Sequence, residues 1–240
     1  MIHAIIVRDP AIFNLIIAQT EAKKVSLPNL SYQVFSHGNI RIIGEYTISI
    51  ERVLVSINEE FNPDTVFFLS ESLPVSDEKQ AGDIVLPNVF FQKNPEIETR
   101  EMNEITEKNL SGMPLFLEHY PLQGDYNFET FGLSVGGIHV SGVWNEKIED
   151  FRIRLRLVYE NDTFDTELYA FVETGKSLSI IGKIYPVSYI ATEDRDVTAR
   201  NLWSIIGFII GSIDPDVISE EDGGEEEKEE EEWIDGSIEK

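Results

Sequence analysis

Residues 44–92 read GEYTISIERVLVSINEEFNPDTVFFLSESLPVSDEKQAGDIVLPNVFFQ, and the rest of the chain is read outward from them. Ile50, Val53, Leu54, Ile57 and Phe61 recur every three or four residues, which is one face of an amphipathic helix starting at Ser49. Asn62-Pro63-Asp64 ends that helix, because proline has no amide donor and drives the preceding residue out of the helical region. The apolar run Thr65 to Leu69 that follows suits a buried strand. A polar turn from Ser70 to Lys79 then leads to Gly82-Asp83, which restarts the chain into Ile84 to Leu86 and Val89 to Phe91, both strand-like.

This order resembles the nucleoside phosphorylase and nucleosidase superfamily, in particular the methylthioadenosine/S-adenosylhomocysteine nucleosidases. There a helix runs into a PD turn, a buried strand, a glycine-rich active-site loop and then GDIV opening the next strand. FNPD (61–64), VFFL (66–69) and GDIV (82–85) stand here in that order and at that spacing. The loop departs from the pattern, reading Ser70-Glu71-Ser72-Leu73-Pro74 where the family carries several glycines. The resemblance implies an α/β fold in three layers, a central mixed β-sheet flanked by helices, of nucleoside phosphorylase type.

Composition bounds what such a fold can do. At 240 residues with 42% hydrophobic and 10% aromatic content, the chain can bury a full core and reads as one globular domain. It contains no cysteine, which excludes disulfides, thiolate metal sites and a cysteine nucleophile. The opening MIHAIIVRDPAIF lacks a basic segment and a small-residue cleavage site, so a cytoplasmic location is expected. Leu202 to Ile213 is about a dozen residues, short of the roughly 20 that span a bilayer, and reads as a buried terminal helix rather than a membrane segment.

The net charge of −25 is unevenly spread: residues 214–240 carry 14 acidic and 2 basic side chains. That run is expected to be a disordered acidic tail following a domain over 1–213, with Trp233-Ile234 leaving room for a docking role toward a basic protein. The acidic body argues against nucleic-acid partners, since phosphate neutralisation requires clustered lysine and arginine.

Further along, His3 to Val7 suits a first central strand, Ala11 to Ala22 a helix with Ile12, Leu15, Ile16 and Ala22 on its apolar side, and 32–35 with 40–43 a hairpin turning at Ser36 to Asn39. Residues 93–131 are expected to hold loops and short helices. GLSVGGIHVSG (132–142) is strand-like, its paired glycines marking a bulge or a close backbone approach. Residues 145–160 fit helix and strand periodicity equally, and the resemblance favours a helix. Ala199 to Ile213 reads as the last helix.

The resemblance also implies site residues. Cleaving the N-glycosidic bond of a purine nucleoside requires an acid to protonate the leaving base, acceptors for the ribose hydroxyls, and a nucleophile facing an oxocarbenium-like transition state. Phe164 to Phe171 resembles the family's DME element, which places Asp165, Thr166 and Glu167 at its positions and makes Glu167 the ribose acceptor. Val187 to Asp194 resembles the strand ending in the catalytic aspartate, so Asp194 is the expected acid. Asp194 is equally explained as a loop cap or as the ion-pair partner of Arg195, and Glu167 as a helix N-terminal acid. Asp165 is read as structural.

Ser141 ends a strand like the family's SG strand, Trp144 follows where the family stacks an aromatic on the base, and Ser70 opens the active-site loop. The position of the family's water-activating glutamate is taken by Ile12, which leaves Asp9 as the nearby carboxylate, or as a turn aspartate before proline. Arg8 and Arg52 are the candidates for holding phosphate; without the glycine loop, hydrolysis is favoured over phosphorolysis. His3, His37, His119 and His139 have no metal-ligand spacing, and no metal or cofactor is implied. The function expected is a divergent purine nucleosidase acting on a nucleoside such as methylthioadenosine or S-adenosylhomocysteine, as a homodimer; the alternative is a catalytically inactive relative that binds or assembles.

Overall fold

The computed structural model describes residues 1–27, 30–93, 110–122, 124–128, 131–142 and 162–214. Among these the strands are β1 (His3–Val7), β2 (Lys23–Val25), β3 (Gln33–His37), β4 (Ile40–Gly44), β5 (Thr65–Glu71), β6 (Leu73–Pro74), β7 (Ile84–Leu86), β8 (Val89–Lys93), β9 (Leu110–Phe116), β10 (Gly124–Asn127), β11 (Gly132–Val135), β12 (Ile138–Ser141), β13 (Thr163–Asp165) and β14 (Ile184–Tyr189). The α-helices are α1 (Pro10–Thr20), α2 (Ile50–Phe61), α3 (Leu168–Ser177) and α4 (Arg195–Ile213). No helix among the described residues is long and apolar enough to cross a membrane.

The three-layer expectation holds. A nine-stranded mixed sheet runs in the order β10-β11-β7-β14-β5-β1-β4-β3-β2, with β4, β1, β5 and β14 parallel at its centre. Alternate residues of these strands serve opposite faces. Ile5, Val7, Phe67 and Leu69 pack with Ile12, Phe13 and Ile16 of α1 and Leu202, Ile206 and Ile209 of α4. Ala4, Ile6, Val66 and Phe68 pack with Val53, Leu54 and Ile57 of α2 and Phe171 and Val172 of α3. Each buried aliphatic or aromatic side chain of this kind stabilises the fold by about 1.5–3 kcal/mol, and the helical spacing read from α2 is the spacing that fills the second face.

The motif residues have local tasks. Asn62 closes α2 in the left-handed region at φ 41°. Asp64 then fastens the start of β5 to the start of the chain: its carboxylate accepts from the Ile2 amide at 2.8 Å and its own amide donates to the Ile2 carbonyl at 2.8 Å. Asp83 accepts from the amides of Gln80 (2.9 Å) and Gly132 (3.1 Å), tying the entry of β7 to that of β11.

A second sheet, β6-β13-β12-β8-β9, grows out of the first, because three strands continue past a short joint into it: β5 into β6, β7 into β8 and β11 into β12. The reading of 132–142 as one strand is corrected here. Gly136 and Gly137 sit at φ 104° and 103° and hand the chain from one sheet to the other. The Gly136 amide donates to the Leu86 carbonyl at 2.9 Å, the Gly137 carbonyl accepts from the amides of Asn88 and Val89, and a Cβ on Gly137 would collide with the Asp162 carboxylate.

The expectation of loops and short helices over 93–131 is also corrected for its described part, which contributes β9 and β10, an edge strand of each sheet. The ambiguous segment 145–160, Trp144 and the acidic tail past Asp214 lie outside the described residues.

Candidate functional site

The parallel strands β1, β5 and β14 end at a common edge, which is where open α/β sheets present ligand crevices. β12 and β13 of the second sheet reach the same edge and deliver His139, Ser141 and Asp165 to the end of β5.

Asp165 is the hub. It accepts from Ser70 Oγ at 2.5 Å, Ser141 Oγ at 2.6 Å and His139 Nε2 at 2.9 Å, and from the amides of Glu167 and Leu168 at 3.1 Å. The ionised carboxylate only accepts, so His139 carries its proton on Nε2, and its Nδ1 pairs with Thr163 Oγ1 at 2.8 Å. Burial works against the charge on Asp165, but His139 and the hydroxyls of Ser141 and Ser70 outweigh it and hold the carboxyl below its usual range. A carboxylate receiving the first amides of α3 also complements the helix dipole. Ser141 Oγ extends this by accepting from the Tyr169 amide at 2.9 Å. The structural reading of Asp165 is therefore the one observed, and Ser70 and Ser141 are both committed to it.

Glu167, fixed by that network at the head of α3, meets Arg8 from the end of β1, with Arg8 Nε 3.0 Å from Glu167 Oε2. The approach is too oblique for a hydrogen bond, so Oε2 has no hydrogen-bond partner among the described residues. Burial raises the Glu167 carboxyl above its ordinary value; Arg8 opposes the rise, while Asp165 and Glu51 add to it. The Arg8 guanidinium also lies over the Tyr46 ring, 5.2 Å from its centroid. Thr166, beside Glu167, is exposed.

On the α1/α4 face of the same edge stands a second charged group. Arg195 donates to both oxygens of Glu71, at 2.8 and 3.2 Å, and lies 3.2 Å from Asp9 Oδ2. Asp9 Oδ1 caps α1 by accepting from the Ala11 amide at 2.7 Å. Tyr189 Oη is buried beside this group without a hydrogen-bond partner among the described residues; burial, then the charges of Asp9 and Glu71, push the phenol well above its ordinary range.

Asp194 is exposed and caps α4, accepting from the Asp196 amide at 3.0 Å. The strand it was expected to end stops earlier, at Tyr189. Arg195, weighed from the sequence as its ion-pair partner, is engaged instead by Glu71 and Asp9.

Of the expected site residues, Ser70, Ser141 and Glu167 come together, Asp9 lies on the other face of the same edge, and Asp194 heads the helix whose first residue is Arg195. Arg52, the second phosphate candidate, lies on α2 and lines an open surface groove with Glu51, Val55, Ser56 and Glu59. Sequence reasoning did not bring forward Tyr46, His139, Glu71 or Tyr189. For Glu71 and Tyr189 the available signal was their place as the last residues of the buried runs β5 and β14; Tyr46, in the connection after β4, and His139, inside β12, carry no such local mark.

No protein-family model matches the sequence, and no curated protein matches it by sequence. Solved structures do match it in fold. A methylthioadenosine nucleosidase variant from Helicobacter pylori with 5'-methylthioadenosine in its active site superposes with a TM-score of 0.62 at 11% identity, over 86% of this chain and 98% of that one. The methylthioadenosine/S-adenosylhomocysteine nucleosidase of Neisseria meningitidis, in complex with methylthio-immucillin-A, gives 0.62 at 13% identity, over 88% and 100%. Futalosine hydrolase from Helicobacter pylori gives 0.59 at 12% identity, over 87% and 99%. The chain thus has the nucleoside phosphorylase-like fold that its strand and helix order implied.

Proposed function

We propose that this chain is a divergent nucleosidase that binds a purine nucleoside at the common edge of β1, β5 and β14 and hydrolyses its N-glycosidic bond. The observation that carries the reading is Glu167: a mostly buried carboxylate, set by the Asp165 network at a fixed point on that edge, with an oxygen that takes no hydrogen bond from the described residues.

In this reading Glu167 accepts hydrogen bonds from the ribose hydroxyls and offsets the positive charge that develops on the sugar. Ser70 and Ser141 act through Asp165 as positioning residues, and Thr166 and Trp144 border the nucleoside. Asp194 gives a proton to the departing base, leaving its helix-capping position to do so, and Asp9 activates the attacking water. Hydrolysis rather than phosphorolysis follows from Arg8 being engaged by Glu167 and from the bulk and charge of the 70–74 loop. The working assembly is a homodimer, with residues 214–240 as an acidic arm toward a basic protein.

A second reading, a nucleoside-binding module without catalysis, draws on one observation. Asp9 has both carboxylate oxygens engaged, one by the Ala11 amide and one by Arg195, and Asp194 is engaged as a cap. Purified protein mixed with methylthioadenosine separates the two: release of free adenine, abolished in Asp194→Asn, supports the nucleosidase. Asparagine retains the capping oxygen, so loss of activity in that variant reports the proton and not the helix. Binding without base release across a panel of purine nucleosides supports the module.

A further inference from the structure

Tyr46 stands between β4 and α2, only 7% exposed, with its ring under the Arg8 guanidinium and within electrostatic reach of Glu167. Its hydroxyl reaches no described residue in good hydrogen-bond geometry, Arg8 being the neighbour that favours its ionised form, and Glu167 Oε2 and Ser188 Oγ likewise have no hydrogen-bond partner among the described residues. Ser188 is the register partner of Ser70 on the neighbouring strand β14, so its side chain faces the side of the sheet on which Ser70 meets Asp165.

Buried polar groups in folded proteins are nearly all paired, and leaving one unpaired costs about as much as a whole hydrogen bond contributes or more. Three such atoms at one sheet edge, beside an ion pair, mark a surface shaped for a polar ligand that completes their bonds. The two groups nearest each other in role are complementary: an ionised carboxylate can only accept, whereas a phenol can also donate. Burial and the charge of Glu167 push the Tyr46 phenol well above its ordinary range, so it keeps its proton at neutral pH. A vicinal diol matches this pair, one hydroxyl donating to the carboxylate and its neighbour accepting from the phenol.

We infer that Tyr46 is a ligand-contacting, specificity-determining residue whose hydroxyl, together with Glu167, grips the two ribose hydroxyls of the bound nucleoside; this rests on the nucleoside reading given above. Arg8 lies over the same ring and pairs with Glu167, so it touches both groups and a ligand has to displace it from the carboxylate.

Calorimetric titration of the full chain with adenosine, 2'-deoxyadenosine and 3'-deoxyadenosine tests the assignment, on the wild type and on Tyr46→Phe. The wild type is expected to prefer adenosine over at least one deoxy analogue. Tyr46→Phe should weaken adenosine about 3- to 10-fold, the scale of one neutral hydrogen bond, while leaving that analogue unchanged, so that the preference collapses. Its melting temperature should equal or exceed that of the wild type, since no hydrogen bond to a described residue is removed. An unchanged preference, or a uniform loss of affinity with a lower melting temperature, overturns the assignment and leaves the nucleoside site standing. Failure of the wild type to bind adenosine at all removes both.

Discussion

Arg8, the first residue past β1, and Glu167, at the head of α3, form an ion pair at 3.0 Å across the end of the sheet where β1, β5 and β14 finish together. The carboxylate that would take the ribose hydroxyls is therefore held by a guanidinium in the unliganded chain, and a ligand has to compete with it. Arg8→Gln removes the competitor. Because Arg8 is half exposed, the pair contributes under about 1 kcal/mol to folding, so the variant should fold normally. Its nucleoside affinity at pH 8 should rise about 3- to 10-fold. The gain should shrink toward acid pH, because without Arg8 nothing opposes the upward push of burial on the Glu167 carboxyl, and the protonated form no longer accepts from both hydroxyls. Titrations at pH 8 and pH 5.5 read both effects; equal affinities for the variant and the wild type at both pH values would discard the competition.

Asp165 ties four elements together. Ser70 on β5, His139 and Ser141 on β12, and the first amides of α3 all donate to one carboxylate that is 5% exposed. Asp165→Asn keeps the shape but replaces an acceptor oxygen with a donor facing donors, and removes the charge opposite His139. Breaking a buried charged network in this way costs about 3–5 kcal/mol. Denaturant unfolding should report a loss of that size. Ser70→Ala, which removes one donor to the buried carboxylate, should cost about 1.5–3 kcal/mol; a loss for Asp165→Asn no greater than that for Ser70→Ala would mean the network is not a unit.

Gly137 predicts a sharper effect than a glycine inside an ordinary strand. Its φ of 103° is a conformation that side chains avoid, and its Cβ position is already occupied by the Asp162 carboxylate, which accepts from the Ile138 amide at 3.0 Å. Gly137→Ala should cost more than about 1 kcal/mol. Gly182→Ala, where a Cβ meets no neighbour within reach, should be close to neutral. Since the joint aims β12, the first variant should also displace His139 and Ser141 and so weaken any ligand held at Glu167. Equal melting temperatures for the two variants would remove the joint from the account.

Much of the architecture is legible in the sequence because its punctuation is local. Asn62-Pro63-Asp64 ends a helix by the chemistry of those three residues, and Gly82-Asp83 opens a strand because Gly82 takes φ 99° and Asp83 caps the turn. The strand break at Gly136-Gly137 is different in kind. Apolar and polar residues continue on both sides of it, and nothing within the segment states that its halves join different sheets; only the long-range partners, β7 for one half and β8 for the other, do so. β9 was hidden for a similar reason: it is an edge strand containing Pro114, which a single-segment reading demotes.

At the site, the head of α3 was readable because a strand ending in acidic residues before a helix is a local pattern. The choice of Arg195 between Asp194, its neighbour in sequence, and Glu71 with Asp9, its neighbours in space, was not. That choice is decided by three strand and helix ends meeting, which no window of sequence contains.

His3 and His119 make the fold sensitive to mild acid. His3 is fully buried, with Nδ1 2.8 Å from Thr65 Oγ1 and Nε2 3.7 Å from Asp214 Oδ2. Burial lowers its proton affinity below the ordinary 6.5; Asp214 and Asp64 oppose this and the Met1 ammonium reinforces it. His119, whose Nε2 lies 2.8 Å from the Ile184 carbonyl, is likewise lowered by burial. The unfolded chain therefore binds more protons on these rings than the folded one, so their contribution is complete above 6.5 and is lost as pH falls below it.

Each ring can add a slope of at most about 1.4 kcal/mol per pH unit. Asp165, a lowered carboxyl, acts in the same direction only below its ordinary 3.8, and Glu167, a raised one, acts in the opposite direction above 4.5. Denaturant unfolding at pH 7, 6 and 5 should show stability falling with pH, and His3→Gln, which can keep a hydrogen bond to Thr65, should flatten that fall. Parallel curves for the variant and the wild type would show that the His3 imidazole takes up its proton as readily in the folded chain as in the unfolded one, and would end its role as a source of acid sensitivity.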